Sequence, residues 1–334
     1  LLVLALIGLV VMLAILKYPS AGAGLFDLVA GFRGKDPGGV SGLTWLGFSY
    51  VSFRLMHTIF DTLSGRLPPV SLADYVNYII FFPAFTAGPI DRIERFVRDL
   101  KEPIELDSSG WVEAGSRLAS GLFKKFVLAD GLAWFAINTV YVQNLESPGP
   151  SWMLLYAYSL RIFFDFSGYT DLAIGLGRLL GVRLPDNFDS PYLKPNITQF
   201  WNAWHMTLTQ WFRAYFFNPL TRAMRSSHKQ LPDYLMIFLA QVSTMILIGL
   251  WHGITAGFLL WGIWHGLGLF IHNRWSNWVR PRMPDWESSA FGGAALKFSG
   301  VFLTFNFVSL GWLFFNLQDP STAWRAILFL FGAA

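Results

Sequence analysis

Residues 246–268, ILIGLWHGITAGFLLWGIWHGLG, carry two Trp-His-Gly triplets in an otherwise apolar stretch, one around His252 and one around His265. A neutral imidazole avoids the cost of a buried charge, which is about 2.5–3.5 kcal/mol at a bilayer centre on insertion scales. It is also a competent general base. The alternative is a histidine that bonds across helices as structural glue. The triplets are 13 residues apart, roughly 220° around a helix at 3.6 residues per turn, so they cannot share a face. His252 follows Gly249-Leu250-Trp251 and precedes Gly253, small neighbours that let a substrate or another backbone approach. His265 lies on a face with Trp261 and Gly268, next to Gly262 and Gly266 in a GxxxG spacing, which assigns it to helix packing.

A third histidine lies in PNITQFWNAWHMTLTQWFRAYFFNPL, residues 195–220. Pro195 with Asn196 or Thr198 as N-cap opens a helix. At helical spacing Trp201, Trp204, Leu208 and Trp211 form an apolar stripe, with Asn202, His205, Thr209 and Arg213 as a polar stripe beside it. The pattern predicts one amphipathic or re-entrant helix with His205 on the seam. An interfacial helix anchored by its tryptophans explains the apolar stripe as well and the polar one less well. Asp165 and Asp171 in RIFFDFSGYTDLAIGLGRLLG are two acids in an apolar run. They line either a polar cavity or a cation path. His57 and His272 are read as interface residues near span ends, and His228 as part of a basic loop.

The elements that position these groups are membrane helices. The 334 residues are 54% hydrophobic and 14% charged, with 32 Phe and 15 Trp, where a soluble domain is about one quarter charged. Spans of about 20 apolar residues are predicted at 1–16, 42–63, 72–88, 115–142, 152–181, 233–251, 254–272 and 296–317, with another starting at 323. The first lacks a signal-peptide cleavage pattern and is read as a membrane helix. FFPAFTAGPIDRIERF, residues 81–96, contains Pro83 and Gly88-Pro89. It is either a helix broken at membrane depth or a helix ending at the interface before a basic loop. Lys and Arg cluster at Arg92, Arg95, Arg98 and Lys101, at Lys124 and Lys125, at Arg213, Arg222, Arg225 and Lys229, and at Arg274, Arg280 and Arg282. The positive-inside rule puts these clusters in the cytoplasm. Asn196-Ile-Thr198 matches a glycosylation sequon by chance.

Other chemistries find no footing. The chain has no Cys and so no thiolate metal site, disulfide or Cys nucleophile. No histidine spacing suits a metal. GLGRLLG lacks dinucleotide spacing and a preceding strand, and no phosphate loop, GxSxG elbow or HExxH is present.

Four motifs carry a resemblance: FFPAFTAGPIDR, RIFFDFSGYTDLAIGLGRLLG, FWNAWHMTLTQWFRAYFFNPL and GLWHGITAGFLLWGIWHG. In this order they resemble the membrane-bound O-acyltransferase (MBOAT) family, from about residue 40 to the end. The likeness is greatest to its bacterial branch of alginate O-acetyltransferases and teichoic-acid D-alanyltransferases. The resemblance implies an all-α polytopic membrane protein, a ring of tilted and broken transmembrane helices around a central funnel. Residues 1–334 would form a single such domain lacking native residues at one or both ends, in a bacterial inner or plasma membrane.

The resemblance also implies chemistry. His252 takes the place of the family's catalytic histidine, and His205 that of its second characteristic His or Asn. Asn202, Trp201, Trp204, Trp251, Asp165 and Asp171 are the candidate substrate-binding residues, and no metal is implied. No cofactor is held. The co-substrate is an acyl thioester, acetyl-CoA or an acidic acyl carrier protein, arriving from the cytoplasm. The acceptor is a hydroxyl of an extracytoplasmic polysaccharide, reached directly or through a periplasmic or extracellular transferase partner. Membrane lipid is a further partner and nucleic acid is not. O-acetylation is favoured, with D-alanyl transfer to teichoic acid as the alternative. A proton- or ion-coupled transporter using Asp165, Asp171 and buried histidines is the rival of another class, and a scaffold with a vestigial site is the blandest reading.

Overall fold

The computed structural model describes residues 1–17, 47–103, 106–143, 147–226, 231–282 and 290–333. Among them there are helices and no β-strand, the one β-like contact being an isolated bridge between Phe188 and Trp204. The chain divides into two compact units. The first comprises residues 1–121, 169–185 and 251–255, and the second comprises residues 122–168, 186–250 and 256–334.

The first unit contains α1 (Leu2–Lys17), α2 (Phe48–Leu63), α3 (Leu72–Ile80), α4 (Ile93–Lys101) and α5 (Ser108–Leu122, the last residue outside it). Ser71 caps α3, its hydroxyl accepting from the Asp74 N–H at 3.1 Å. The helix stops at Ile80, where Phe81 leaves helical geometry with a ψ of 101° and Pro83 has no N–H to continue the ladder. The carbonyls freed at that end are collected by the buried Arg54. Its guanidinium donates to Tyr78 O (2.8 Å), Ile79 O (3.1 Å) and Ala84 O (2.9 Å). A β-carbon at Gly88 would sit 2.3 Å from the Ala84 Cα, so only glycine fits this turn. The break at 81–96 is therefore real, its backbone satisfied by protein.

Below it Tyr78, Ile93, Phe96, Val97, Ala173, Ile174, Val182 and Leu184 form a core. His57 does not sit at an interface as its position near a span end suggests. It is buried, its Nε2 paired at 2.8 Å with the Tyr78 hydroxyl, which donates to the Asp91 carbonyl at 2.7 Å, and its Nδ1 facing the Asp61 carboxylate at 3.5 Å. Asp107 caps α5 by accepting from Gly110 N–H at 2.7 Å. That bond and one from the Ser109 hydroxyl hold its carboxyl below the usual carboxylate range.

The predicted span 115–142 is not one helix. After α5 the chain passes through a π-helical stretch, Phe123–Ala129, then the short helices α6 (Asp130–Ala133) and α7 (Thr139–Gln143). The second unit holds these, with the first part of α8 (Pro148–Leu179). It also holds α9 (Ile197–Ala203), α10 (Met206–Phe212), α11 (Asn218–Ser226), most of α12 (Asp233–His252), α13 (Ala256–Trp278), α14 (Ala290–Leu317) and α15 (Pro320–Leu330). Glycines let α13 close on its neighbours. A β-carbon on Gly262 would meet Met245 O at 2.6 Å, and one on Gly266 the Val242 Cα at 2.8 Å, the small-residue packing of membrane helices. Asp319 caps α15 by accepting from the Thr322 N–H at 2.9 Å. Hydrogen bonds from the Ser321 and Thr322 hydroxyls and from that N–H lower its carboxyl to about 2.

Among the described residues, two helices are long and apolar enough to cross a bilayer, Asp233–His252 and Gly292–Leu317, and α1 is a shorter apolar helix. The outer face of α14 leaves Phe298, Phe302 and Leu303 exposed at 77%, 58% and 65%, one apolar stripe that water would not favour and lipid would. The predicted span 152–181 lies inside the 32-residue α8 up to its end at Leu179, but Arg161, Asp165, Asp171 and Arg178 make it too polar to stand out by hydropathy.

Candidate functional site

The expected site residues fall in both units. Asp171, Trp251 and His252 belong to the first, and Asp165, Trp201, Asn202, Trp204 and His205 to the second.

His252 is the last residue of α12, half-buried, where Gly253 ends the helix. Its ring packs edge-on to Trp251 with centroids 4.6 Å apart. Trp251 is buried against Tyr50 (5.7 Å) and Phe53 (5.3 Å) of α2. Lys17, closing α1, lies over the Trp251 ring at 5.4 Å and donates to the His252 carbonyl at 3.5 Å, while the Lys17 carbonyl accepts from Ile254 N–H at 3.2 Å. A cation at the end of α12 suits the negative pole of the helix dipole. Backbone and tryptophan are thus clamped, and the imidazole is left as the half-exposed group at a helix end.

His205 is placed differently from its expected position. Residues 195–220 are not one helix with two stripes. Asn196 caps α9, accepting from Gln199 N–H at 2.9 Å. That helix ends at Ala203, His205 takes a left-handed φ of 42°, and α10 starts at Met206. A non-glycine residue in this region carries strain that its surroundings must offset. Asn187 provides the offset. Its backbone carbonyl accepts from Met206 N–H at 2.9 Å. Its Oδ1 accepts from the Thr207 N–H at 3.2 Å and the Thr207 hydroxyl at 2.6 Å. Asn202 and His205 consequently share no polar stripe. Asn202 is exposed and accepts from Arg213 at 2.6 Å, whereas His205 is buried with its ring 4.6 Å from that of Phe166.

Trp201 and Trp204 are both buried among aromatic rings. Trp204 stacks on Phe200 at 5.6 Å and meets Phe188 (5.1 Å) and Trp312 (5.1 Å). Trp201 donates its indole N–H to His265 Nδ1 at 3.3 Å. His265 is fully buried, against Trp261 at 4.9 Å.

The two acids are committed to ion pairs. Asp165 accepts from Lys125 at 2.5 Å. Asp171 accepts from Arg117 at 2.6 Å, and beside it Arg178 pairs with Glu113 at 2.8 Å, two bridges between α5 and α8. Each acid has its charge matched by a base on another element. Sequence reasoning did not find Asn187, Lys17 or Phe166. Asn187 stands 18 residues before His205 in a stretch, RLPDNFDSPY, that reads as a plain turn.

Helices without a strand among the described residues, two of them of bilayer length and apolar, with a lipid-suited stripe, a half-buried histidine at one helix end and a buried one at another, fit a helical membrane protein. The profile described as MBOAT, membrane-bound O-acyltransferase family, matches residues 41–314, and the chain belongs to that family, whose members are membrane-bound. Similar proteins include a teichoic acid D-alanyltransferase of Streptococcus thermophilus, 32% identical over 82% of this chain and 68% of its own length. A probable alginate O-acetylase of Pseudomonas aeruginosa is 32% identical over 98% of this chain and 60% of its own length. A peptidoglycan O-acetyltransferase of Helicobacter pylori is 33% identical over 78% and 46%. The chain thus spans about 60% of the length of the alginate O-acetylase it matches.

Proposed function

We propose that this protein is a multi-pass enzyme of the bacterial cell membrane that moves an acyl group from a cytoplasmic thioester to a hydroxyl of a cell-envelope polysaccharide, with acetyl as the acyl group. The supporting observation is the likeness to the alginate O-acetylase, which runs through 98% of this chain at 32% identity, whereas that to the D-alanyltransferase runs through 82% at the same identity.

In this reading His252 is the general base. Neutral imidazole takes the proton of the acceptor hydroxyl as its oxygen attacks the thioester carbonyl. The C–S bond breaks, a C–O bond forms, and the proton passes on to the departing thiolate. No covalent enzyme intermediate is needed. The clamp on Trp251 and the His252 carbonyl fixes the ring's origin, which matters because small misplacements cost rate. His205, packed on Phe166, orients the acyl group. Asp165 and Asp171 act through their ion pairs, holding Lys125 and Arg117 and with them the elements that carry these bases.

The test is free-thiol release by the purified protein in lipid, with acetyl-CoA and a D-alanyl carrier protein supplied separately and a polysaccharide acceptor present. The proposal predicts His252-dependent release from acetyl-CoA. Release from the carrier protein alone would replace acetyl by D-alanyl transfer. Release from neither, with ion-gradient-driven flux instead, would replace acyl transfer by transport.

A further inference from the structure

The polar groups around the His205 break leave one donor over. Asn187 is fully buried. The three hydrogen bonds it accepts from Met206 and Thr207 fix both its backbone and its Oδ1. With Oδ1 turned to Thr207, the Nδ2 amide points the other way, and it has no hydrogen-bond partner among the described residues. A buried donor left unpaired costs about 1–3 kcal/mol, and each such group in a folded protein asks for an explanation. Capping does not supply one, because aspartate caps a helix N-terminus as well as asparagine does. What asparagine adds is the pair of N–H groups. The same spot carries the left-handed φ of His205, and such backbone strain gathers where a ligand is held. Apolar rings surround it. Phe166 packs on His205, and Phe188, the residue after Asn187, packs on Phe166 at 5.1 Å and on Trp204.

We propose that Asn187 is a catalytic residue whose side-chain amide donates to the carbonyl oxygen of the acyl group held at His205. This rests on the acyl-transfer reading of His205. A neutral donor among aromatic rings suits a neutral carbonyl that becomes negative only as it is attacked. When the hydroxyl oxygen adds to the carbonyl carbon, the π electrons move to the carbonyl oxygen, where the Asn187 N–H groups stabilise them. When the electrons return, the C–S bond breaks and the thiolate takes up the proton removed from the hydroxyl. Asn187 gains and loses no proton. Donors placed in this way are worth about 10²–10³ in kcat.

The experiment uses the full chain in lipid vesicles with acetyl-CoA as probe, reading thiol release for kcat and KM and the thermal midpoint for folding. Asn187→Asp keeps the acceptor for Thr207 and removes both donors, and Asn187→Ser removes the amide N–H groups without adding a charge. Thr207→Val weakens the cap alone. The expected result is a fall in kcat of about 100-fold or more for both Asn187 variants, with KM changed less than about threefold and a midpoint within a few degrees of wild type. Thr207→Val lowers the midpoint and keeps kcat. A folded Asn187→Asp or Asn187→Ser with wild-type kcat overturns the proposal, as does a loss of kcat matched by Thr207→Val at the same midpoint. Wild-type kcat in His205→Ala overturns instead the reading of His205 on which the proposal stands.

Discussion

The two Trp-His-Gly triplets have the same three residues and opposite surroundings. In the first, Trp251 is buried and clamped while His252 ends its helix half-exposed. In the second, His265 lies mid-helix without exposure, bonded to Trp201 and walled by Trp261, with Gly311 so close that a β-carbon there would sit 2.8 Å from His265 Nε2. Even the tryptophans differ, since Trp264 donates to the Phe307 carbonyl at 2.9 Å and ties α13 to α14. A short motif therefore does not assign a role. The helix end that follows His252, made by Gly253, separates a group able to meet substrate from one that holds helices together.

Variants can break or sharpen that contrast. The largest effect is expected for His252→Ala, with acyl transfer down by about 10³-fold or more and a thermal midpoint near wild type, read by thiol release and thermal unfolding. Next comes His265→Ala. Emptying a fully buried, closely packed position should cost about 2–4 kcal/mol of stability, seen as a lower midpoint in detergent. Gly311→Ala should cost about 1–3 kcal/mol by overpacking against the same ring. Trp201→Phe keeps the aromatic bulk and loses one hydrogen bond, about 1 kcal/mol. Combined with His265→Ala, which removes the same bond from the other side, it tests whether the two residues act as one unit. The double variant should lose less than the sum of the singles.

Much of this was legible in the sequence, and the limits have a physical cause. The break at Pro83 and Gly88-Pro89, the N-cap at Asn196 and the close packing at Gly262 and Gly266 depend on local chemistry, so local reading found them. The break at His205 did not follow from its neighbours, because positive φ at a histidine is held by Asn187 from 18 residues away. A continuous 3.6-residue stripe was the natural expectation without that partner. His57 was misplaced for the same reason, its Tyr78 partner lying 21 residues on. Asp165 and Asp171 stood out as acids in an apolar run, but Lys125 and Arg117, 40 and 54 residues away, could be matched to them only in three dimensions.

The most direct test of the central claim is turnover per folded molecule, with His252→Ala and His265→Ala measured side by side in lipid at a temperature where both are folded. The account predicts near-zero thiol release from the first and near-wild-type release from the folded fraction of the second. Activity retained by His252→Ala, or lost by fully folded His265→Ala, would contradict it.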